Sequence, residues 1–208
     1  MIVSAVSEKI SESLNPCRSD VQIEMEGPFG QPFSIENFGS VLCVANYDNL
    51  ISLYPVLTAL KAAGNQITCL PVGVQGDDQF IGNEIRLLTD NWIDFDGNSR
   101  RTIQVIEQTL RTQKYDQVFT IGPATTIRET CTVCTATKSP VQAMLFLNEK
   151  NQLGQHGIYR VSVCGNTRAL CVDGYNFNAY YASFEEMVKR FGGSEAELQF
   201  QKKINLTI

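Results

Sequence analysis

Several side-chain groups in this sequence have the types and spacing for chemistry. Cys131-Thr132-Val133-Cys134 is the one CxxC in the chain. A redox pair of this kind belongs at an exposed helix N-terminus, where one thiol's pKa falls. Half of a zinc site needs a second Cys or His pair. Here Ile127, Cys131 and Cys134 instead recur at helical spacing along one apolar stripe, which assigns both thiols to a core. His156 is the sole histidine, so one chain holds no multi-His metal centre. Its neighbours Asn151 and Tyr159 supply neither a strong base nor an activated nucleophile. Asp77-Asp78 and Asp94-Phe95-Asp96 are paired carboxylates on loop-like stretches, explained by helix capping and turn formation without a metal.

The stretch from Val41 to Pro55 is built like the opening of a dinucleotide-binding fold. Val41 to Ala45 read as a buried parallel strand, and Leu50, Leu53, Tyr54, Leu57 and Leu60 follow at helical spacing. A loop that cradles a pyrophosphate needs glycines, so that backbone can approach the phosphates, and an uncluttered, positive helix N-terminus. Ala45-Asn46-Tyr47-Asp48-Asn49 has neither, and Asp48 brings a carboxylate to where the anion would sit. The expected structural use of Asp48 or Asn49 is to cap the helix.

The elements that position these groups follow from hydrophobic period. After a polar opening, Val21, Ile23 and Met25 alternate with polar residues as one half-exposed strand, ended by Gly27-Pro28-Phe29-Gly30. From Val41 onward strand and helix alternate with a period of roughly 25 residues, as in a parallel sheet with right-handed crossovers. The expected strands are Val41 to Ala45, Gln66 to Val72, Trp92 to Phe95, Tyr115 to Ile121 and Val141 to Leu147. The helices between them carry Ile85 and Leu88, then Ile103, Ile106 and Leu110 after a cap at Asn98 or Ser99, then Ile127 to Cys134. After Asn148 the rhythm breaks. Arg160 to Cys164 and Arg168 to Val172 read as strands joined by Gly165-Asn166, with Ser183 capping a short helix through Arg190.

The fold class is thus α/β: an open, mostly parallel five-stranded Rossmann-like sheet with helices on both faces, an N-terminal β segment and a small C-terminal hairpin and helix module. The expected organisation is residues 1–38 as β segment and linker, 39–148 as the α/β domain, 149–191 as the small module and 192–208 as a tail. A net charge of −5 and a pI near 5.0 argue against nucleic-acid and anionic-membrane partners. No run reaches the roughly eighteen apolar residues of a membrane span and Met1 to Ser19 is too polar for a secretory signal, so the expected location is the cytoplasm. Seven cysteines at irregular spacing fit reduced thiols rather than a disulfide framework.

Taken in order, these residues resemble the ferredoxin reductase superfamily. The similar members are electron-transfer subunits such as those of dihydroorotate dehydrogenase and sulfide dehydrogenase, and the small subunit of NADH-dependent ferredoxin:NADP oxidoreductase. Gly27-Pro28-Phe29-Gly30 resembles the turn closing the family's flavin barrel. Ile35-Glu36-Asn37-Phe38-Gly39, Leu53-Tyr54-Pro55 and Leu60-Lys61-Ala62-Ala63-Gly64-Asn65 resemble the start of its nicotinamide domain. Ile121-Gly122-Pro123 resembles that domain's later Gly-Pro turn, and Leu170-Cys171-Val172-Asp173-Gly174 with Phe177 resembles the last cluster-binding segment.

The resemblance implies flavin, nicotinamide and 2Fe-2S cofactors, and the chain departs from the pattern for each. Only the barrel's last strand is recognisable, and a barrel needs several strands of about five residues each. The glycine-rich turn is replaced by Ala45 to Asn49. His156 and Tyr159 stand in two of the cluster-ligand places and Asn151 near another, leaving Cys171, whereas such a cluster takes four ligands. Cys164, seven residues before Cys171, joins it on one face only through the intervening hairpin.

The expectation is therefore an oxidoreductase-like subunit that has lost flavin, nicotinamide and cluster binding, with no cofactor and no catalytic residue. It would act as a structural or regulatory component beside a protein partner, in a redox complex or as a homo-oligomer. Two alternatives stay open. One is an active reductase subunit holding NAD(P)H in an altered pose around Gly122 and Pro123, or borrowing FAD from a partner chain. The other is a thiol or metal protein using Cys131, Cys134, Cys164 and Cys171.

Overall fold

The strand Ser40–Asn46 (β1) lies at the heart of the molecule, with Val41 to Ala45 fully buried. Its alternate side chains face two helical layers, so the strand is apolar throughout rather than alternating. The computed structural model describes residues 32–73, 79–94, 101–145, 160–169, 176–180 and 182–183. After β1 come helix Leu50–Ala62 (α1), strand Gln66–Val72 (β2), helix Gln79–Leu88 (α2), strand Asn91–Trp92 (β3) and helix Thr102–Thr112 (α3). Strand Gln117–Gly122 (β4), helix Ala124–Thr137 (α4) and strand Val141–Leu145 (β5) complete the repeating part. The remaining strands are Arg160–Val163 (β6), Asn166–Ala169 (β7), Asn176–Asn178 (β8) and Ala182–Ser183 (β9).

The main sheet has the order β3-β2-β1-β4-β5-β8. Its first five strands are parallel, as the sequence period requires, and β8 adds an antiparallel sixth edge strand through Ala143 opposite Phe177. Leu42, Val44, Val118 and Val141 pack on α3 and α4 through Ile106, Leu110, Ile127, Cys131 and Cys134. On the other face Val41, Cys43, Ala45, Phe119 and Ile121 meet Leu53, Leu57, Leu60 and Ile85. Cys43 and Cys69 lie opposite each other on β1 and β2 and are fully buried. Phe119 is also covered edge-on by Phe33 at 5.2 Å and Phe38 at 5.9 Å between ring centres, which lays the incoming segment across β4.

That segment is fastened by Asn65. Its Oδ1 accepts from the N–H of Phe38 at 2.7 Å and of Gly39 at 3.2 Å, while its Nδ2 donates to the carbonyls of Glu36 and Leu60, each at 2.9 Å. Gly64 makes this geometry possible. With φ +84° it closes α1 in a Schellman motif, in which the Gly64 N–H donates to Lys61 O at 3.0 Å and the Asn65 N–H to Leu60 O at 3.1 Å. Helix α4 ends in the same motif, with Lys138 at φ +57° in the place of the glycine and the Ser139 N–H donating to Cys134 O at 2.8 Å. A left-handed conformation costs a residue with a Cβ about 1–2 kcal/mol, so the two ends differ in strain.

Several local expectations are corrected. The hairpin turn is Cys164-Gly165, not Gly165-Asn166: Val163 pairs with Asn166, and both turn residues have positive φ, 51° and 76°. A two-residue hairpin favours that doubly left-handed turn because its twist matches the strands, so Asn166 belongs to β7. Ser183 ends β9, which pairs with β6. The cap position of α3 is taken by Arg101, with no side-chain cap. The expected strand at Val21 to Met25, the turn at Gly27 to Gly30, the caps Asn98 and Ser99, the helix from residue 184 to 190 and the tail lie outside the described residues. Among the described residues no helix is long and apolar enough to cross a membrane.

Replacing Asn65 with Ala takes their side-chain partner from the Phe38 and Gly39 N–H groups and the Glu36 carbonyl, while Leu60 O keeps the backbone N–H of residue 65. The expected loss, read by urea denaturation, is about 2–3 kcal/mol. Asn65→Asp, which keeps the acceptor for Phe38 and Gly39 but sets a buried carboxylate oxygen against the Glu36 and Leu60 carbonyls, is expected to lose at least as much as Ala.

Candidate functional site

In an open α/β sheet, ligands bind where the strand order reverses, outside the C-terminal ends of the strands. Here that place lies between β1 and β4. The chain leaves β1 through α1 toward β2 on one side, while α3 brings it back to β4 on the other. Its walls are the Asn46–Asn49 loop and the Gly122-Pro123 turn, so the tertiary structure brings together the two sites singled out in the sequence.

The loop is occupied by its own side chains. Residues Tyr47–Asn49 form a single 3-10 turn, whose cap is Asn46: its Oδ1 accepts from the Asp48 N–H at 3.2 Å. Asn49 occupies the cap position of α1, as expected of it, but its side chain makes no capping hydrogen bond, and the Leu50 N–H is taken by Tyr47 O. The amide of Asn46 lies between the ends of the neighbouring strands. A Cβ on Gly73, after β2, would stand 3.0 Å from Asn46 Nδ2, and one on Gly122 would stand 3.5 Å from Asn46 Cβ. Two loop N–H groups are thereby used internally, and a side chain sits where a pyrophosphate would require bare backbone. The residues present do not fit a dinucleotide in the usual pose.

Tyr47 is half-buried and leans toward a cluster that sequence spacing alone does not reveal. Arg86 on α2 pairs with Asp94 at 2.5 Å, the indole Nε1 of Trp92 donates to the same carboxylate oxygen at 3.0 Å, and the guanidinium carbon lies 4.8 Å from the Trp92 ring centre. Asp94 therefore orders Arg86 and Trp92. The Tyr47 phenol is raised above its ordinary pKa by burial and then by Asp94, with Arg86 opposing. The sole tryptophan, two residues before Asp94, was the sequence signal for this cluster; Arg86 joins it only through the packing of α2. Asp48 remains exposed.

The opposite wall is more open to a ligand. Pro123 occupies the cap position of α4 with no side-chain cap, so the first-turn N–H groups face outward from β4. Asn49 and Thr126 are 4% and 6% exposed, and among the described residues neither side chain makes a hydrogen bond. Buried polar groups of this kind are normally partnered by protein, water or ligand.

The remaining candidates stay apart. Cys131 and Cys134 are buried within α4, not at its N-terminus, and desolvation raises both thiols, Cys134 to about 12. Cys69 is likewise pushed up to about 12, and Cys43 is raised well above its ordinary value. Cys164 is exposed in the hairpin turn. His156, Tyr159, Cys171, Asn151, Asp77, Asp78 and Asp96 lie outside the described residues. Among the described residues no three His, Cys, Asp or Glu side chains gather as a metal site.

No family model matches the chain. A curated relative from Thermotoga maritima, the electron transfer subunit homolog of dihydroorotate dehydrogenase B (NAD(+)), is 31% identical over 212 residues, covering 99% of this chain and 73% of the relative. This chain belongs to that electron-transfer subunit family. A chain of the NADH-dependent reduced ferredoxin-NADP oxidoreductase, solved in work on flavin-based electron bifurcation, superposes with a TM-score of 0.67 at 24% identity. The match covers 98% of this chain and 75% of that one and shows a common fold. The expected ferredoxin reductase-type α/β architecture is thus the one observed.

The burial of the thiols makes a direct expectation. With a membrane-impermeant maleimide at neutral pH and peptide mapping by mass spectrometry, Cys164 labels in the native protein, whereas Cys43, Cys69, Cys131 and Cys134 label only in denaturant. Native labelling of Cys131 or Cys134 would revive the thiol reading.

Proposed function

We propose that this chain is a subunit of a redox protein complex in which the family scaffold persists while nicotinamide binding by its own switch-point loop is lost, so that it serves a structural or regulatory role beside a protein partner. The observation that carries the reading is the Asn46 side chain packed between Gly73 and Gly122, with its amide oxygen holding the Asp48 N–H. Phosphate oxygens bind at such a turn through free N–H groups and a favourable helix dipole. The turn offers instead an occupied N–H, a side-chain amide and the Asp48 carboxylate. The sequence around the cluster ligands supports the same direction, since His156, Tyr159 and Asn151 stand where the family pattern places its ligands. Membership of a family of electron transfer subunits supports the protein partner.

The second reading, a nucleotide held in an altered pose around Gly122 and Pro123, has its own support. The uncapped start of α4 and the unpartnered Asn49 and Thr126 are polar groups that a ligand could satisfy. A flavin borrowed from a partner chain belongs with this reading.

Calorimetry with NADH and NADPH, together with a visible spectrum, separates the two. The first reading expects a colourless protein with no saturable nucleotide heat at roughly millimolar concentration. The double substitution Asn46→Gly and Asp48→Gly is then expected to gain at least about tenfold in affinity, or ~1.4 kcal/mol. Micromolar binding by the native chain, lost in Thr126→Val or Asn49→Ala, would establish the second reading instead.

A further inference from the structure

A cleft of about 660 Å³ opens at the start of β4 and β5, at the other end of the parallel strands from the Asn46 crevice. Its volume falls within the range of small-molecule sites, roughly 300–1,000 Å³. The walls come from separate parts of the chain: Gln117 and Gln142 on β4 and β5, Asn176 and Asn178 on β8, Lys138 at the end of α4 and Arg168 on β7. The incoming segment closes one side, where Gln142 Nε2 donates to Ser34 O at 3.5 Å. Among the described residues that line the cleft, two are cations and four carry primary amides, and none is an Asp or Glu. In a chain of net charge −5 this is a local reversal of sign, and a concave wall concentrates its field on an entering anion.

Lys138 supplies the second, independent observation. It holds the left-handed position at the end of α4, φ +57°, in the same motif that α1 completes with Gly64. Gly, or failing it Asn, is the residue that fits this backbone without strain. A long cation kept there is a local strain at the mouth of a cleft, and strain of this kind gathers at binding sites. Its ammonium has no ion-pair partner among the described residues.

We propose that this cleft binds a small organic or inorganic oxyanion, phosphate- or carboxylate-bearing, with Lys138 as the principal charge, Arg168 adding positive potential and the amides of Gln142, Asn176 and Asn178 meeting its polar edges. Amides donate and accept, so they suit a ligand carrying hydroxyl or heterocyclic groups beside its charge. The site is separate from the β1 loop and stands or falls independently of nucleotide binding there.

Calorimetry on the full chain in phosphate-free buffer at constant ionic strength tests it, with inorganic phosphate, citrate and AMP as probes. At least one probe is expected to show saturable one-site binding. Lys138→Gly should weaken that binding by about tenfold or more while raising the melting temperature, because it relieves the left-handed strain. Lys138→Arg should retain it, and Lys114→Gln, which removes one charge away from the cleft lining, should leave it within about twofold. The absence of saturable binding for all three probes, or binding that Lys138→Gly leaves unchanged, would overturn the proposal, as would equal weakening by Lys114→Gln.

Discussion

The amide of Asn65 is the fastening on which the arrangement of the sheet depends. A parallel sheet must receive each strand at one end and release it at the other, and β1 is a central strand, between β2 and β4. Its entry point is defined by a chain segment with no ladder of its own. The Asn65 side chain supplies that segment with substitute partners, two acceptor contacts to Phe38 and Gly39 and one donor contact to Glu36. Its last donor returns to Leu60 at the end of α1. One fully used primary amide thus ties the approach to β1, the end of α1 and the start of β2. The neighbouring Asp90 performs a similar task on the outer side, accepting from the Ile67 N–H at 2.8 Å and from Lys61 at 2.6 Å. The Lys61 hydrogen bond, helped by that from Ile67, holds its carboxyl below the usual range.

With β1 fixed, the two ends of the parallel strands acquire different characters. At the C-terminal end the Asn46 amide holds its own loop and Asp94 holds Arg86 and Trp92, while the start of α4 is left uncapped. This is a crevice whose loop binds itself. At the N-terminal end a mixed polar and apolar lining carries Lys138 and Arg168, with no carboxylate among the described lining residues. The two Schellman ends express the same contrast, glycine where the helix end carries the Asn65 fastening and lysine where the end meets a cleft. Charge and backbone strain are therefore distributed unevenly over a scaffold whose core is ordinary.

Much of this was legible from residue period alone. The five parallel strands and the helices between them follow from apolar runs and helical spacing, and Cys131 and Cys134 were placed in the core because Ile127 lies on the same stripe. Turn and cap chemistry was less legible. Asp48 and Asn49 are both good capping residues by type, yet the capping hydrogen bond is made by Asn46, because the backbone tightens into a 3-10 turn immediately after the strand and presents the Asp48 N–H to it. The hairpin turn shifted by one residue for a similar reason, since Cys164 adopts a left-handed conformation that its residue type does not announce.

The sequence by itself determined the order of elements from β1 to β5, the parallel character of that part of the sheet, the burial of the CxxC thiols and the absence of glycines from the β1 loop. These are local properties, set by side-chain size, polarity and spacing along a few turns of chain. The tertiary structure alone decided what the Asn46 side chain packs against, that Arg86 and Asp94 share a carboxylate–indole cluster, that β8 extends the sheet, and that Lys138 and Arg168 share a cleft. Each of those depends on residues far apart in the chain, and the contact arises only when the sheet order and the crossings of its helices bring the ends of different strands to one place.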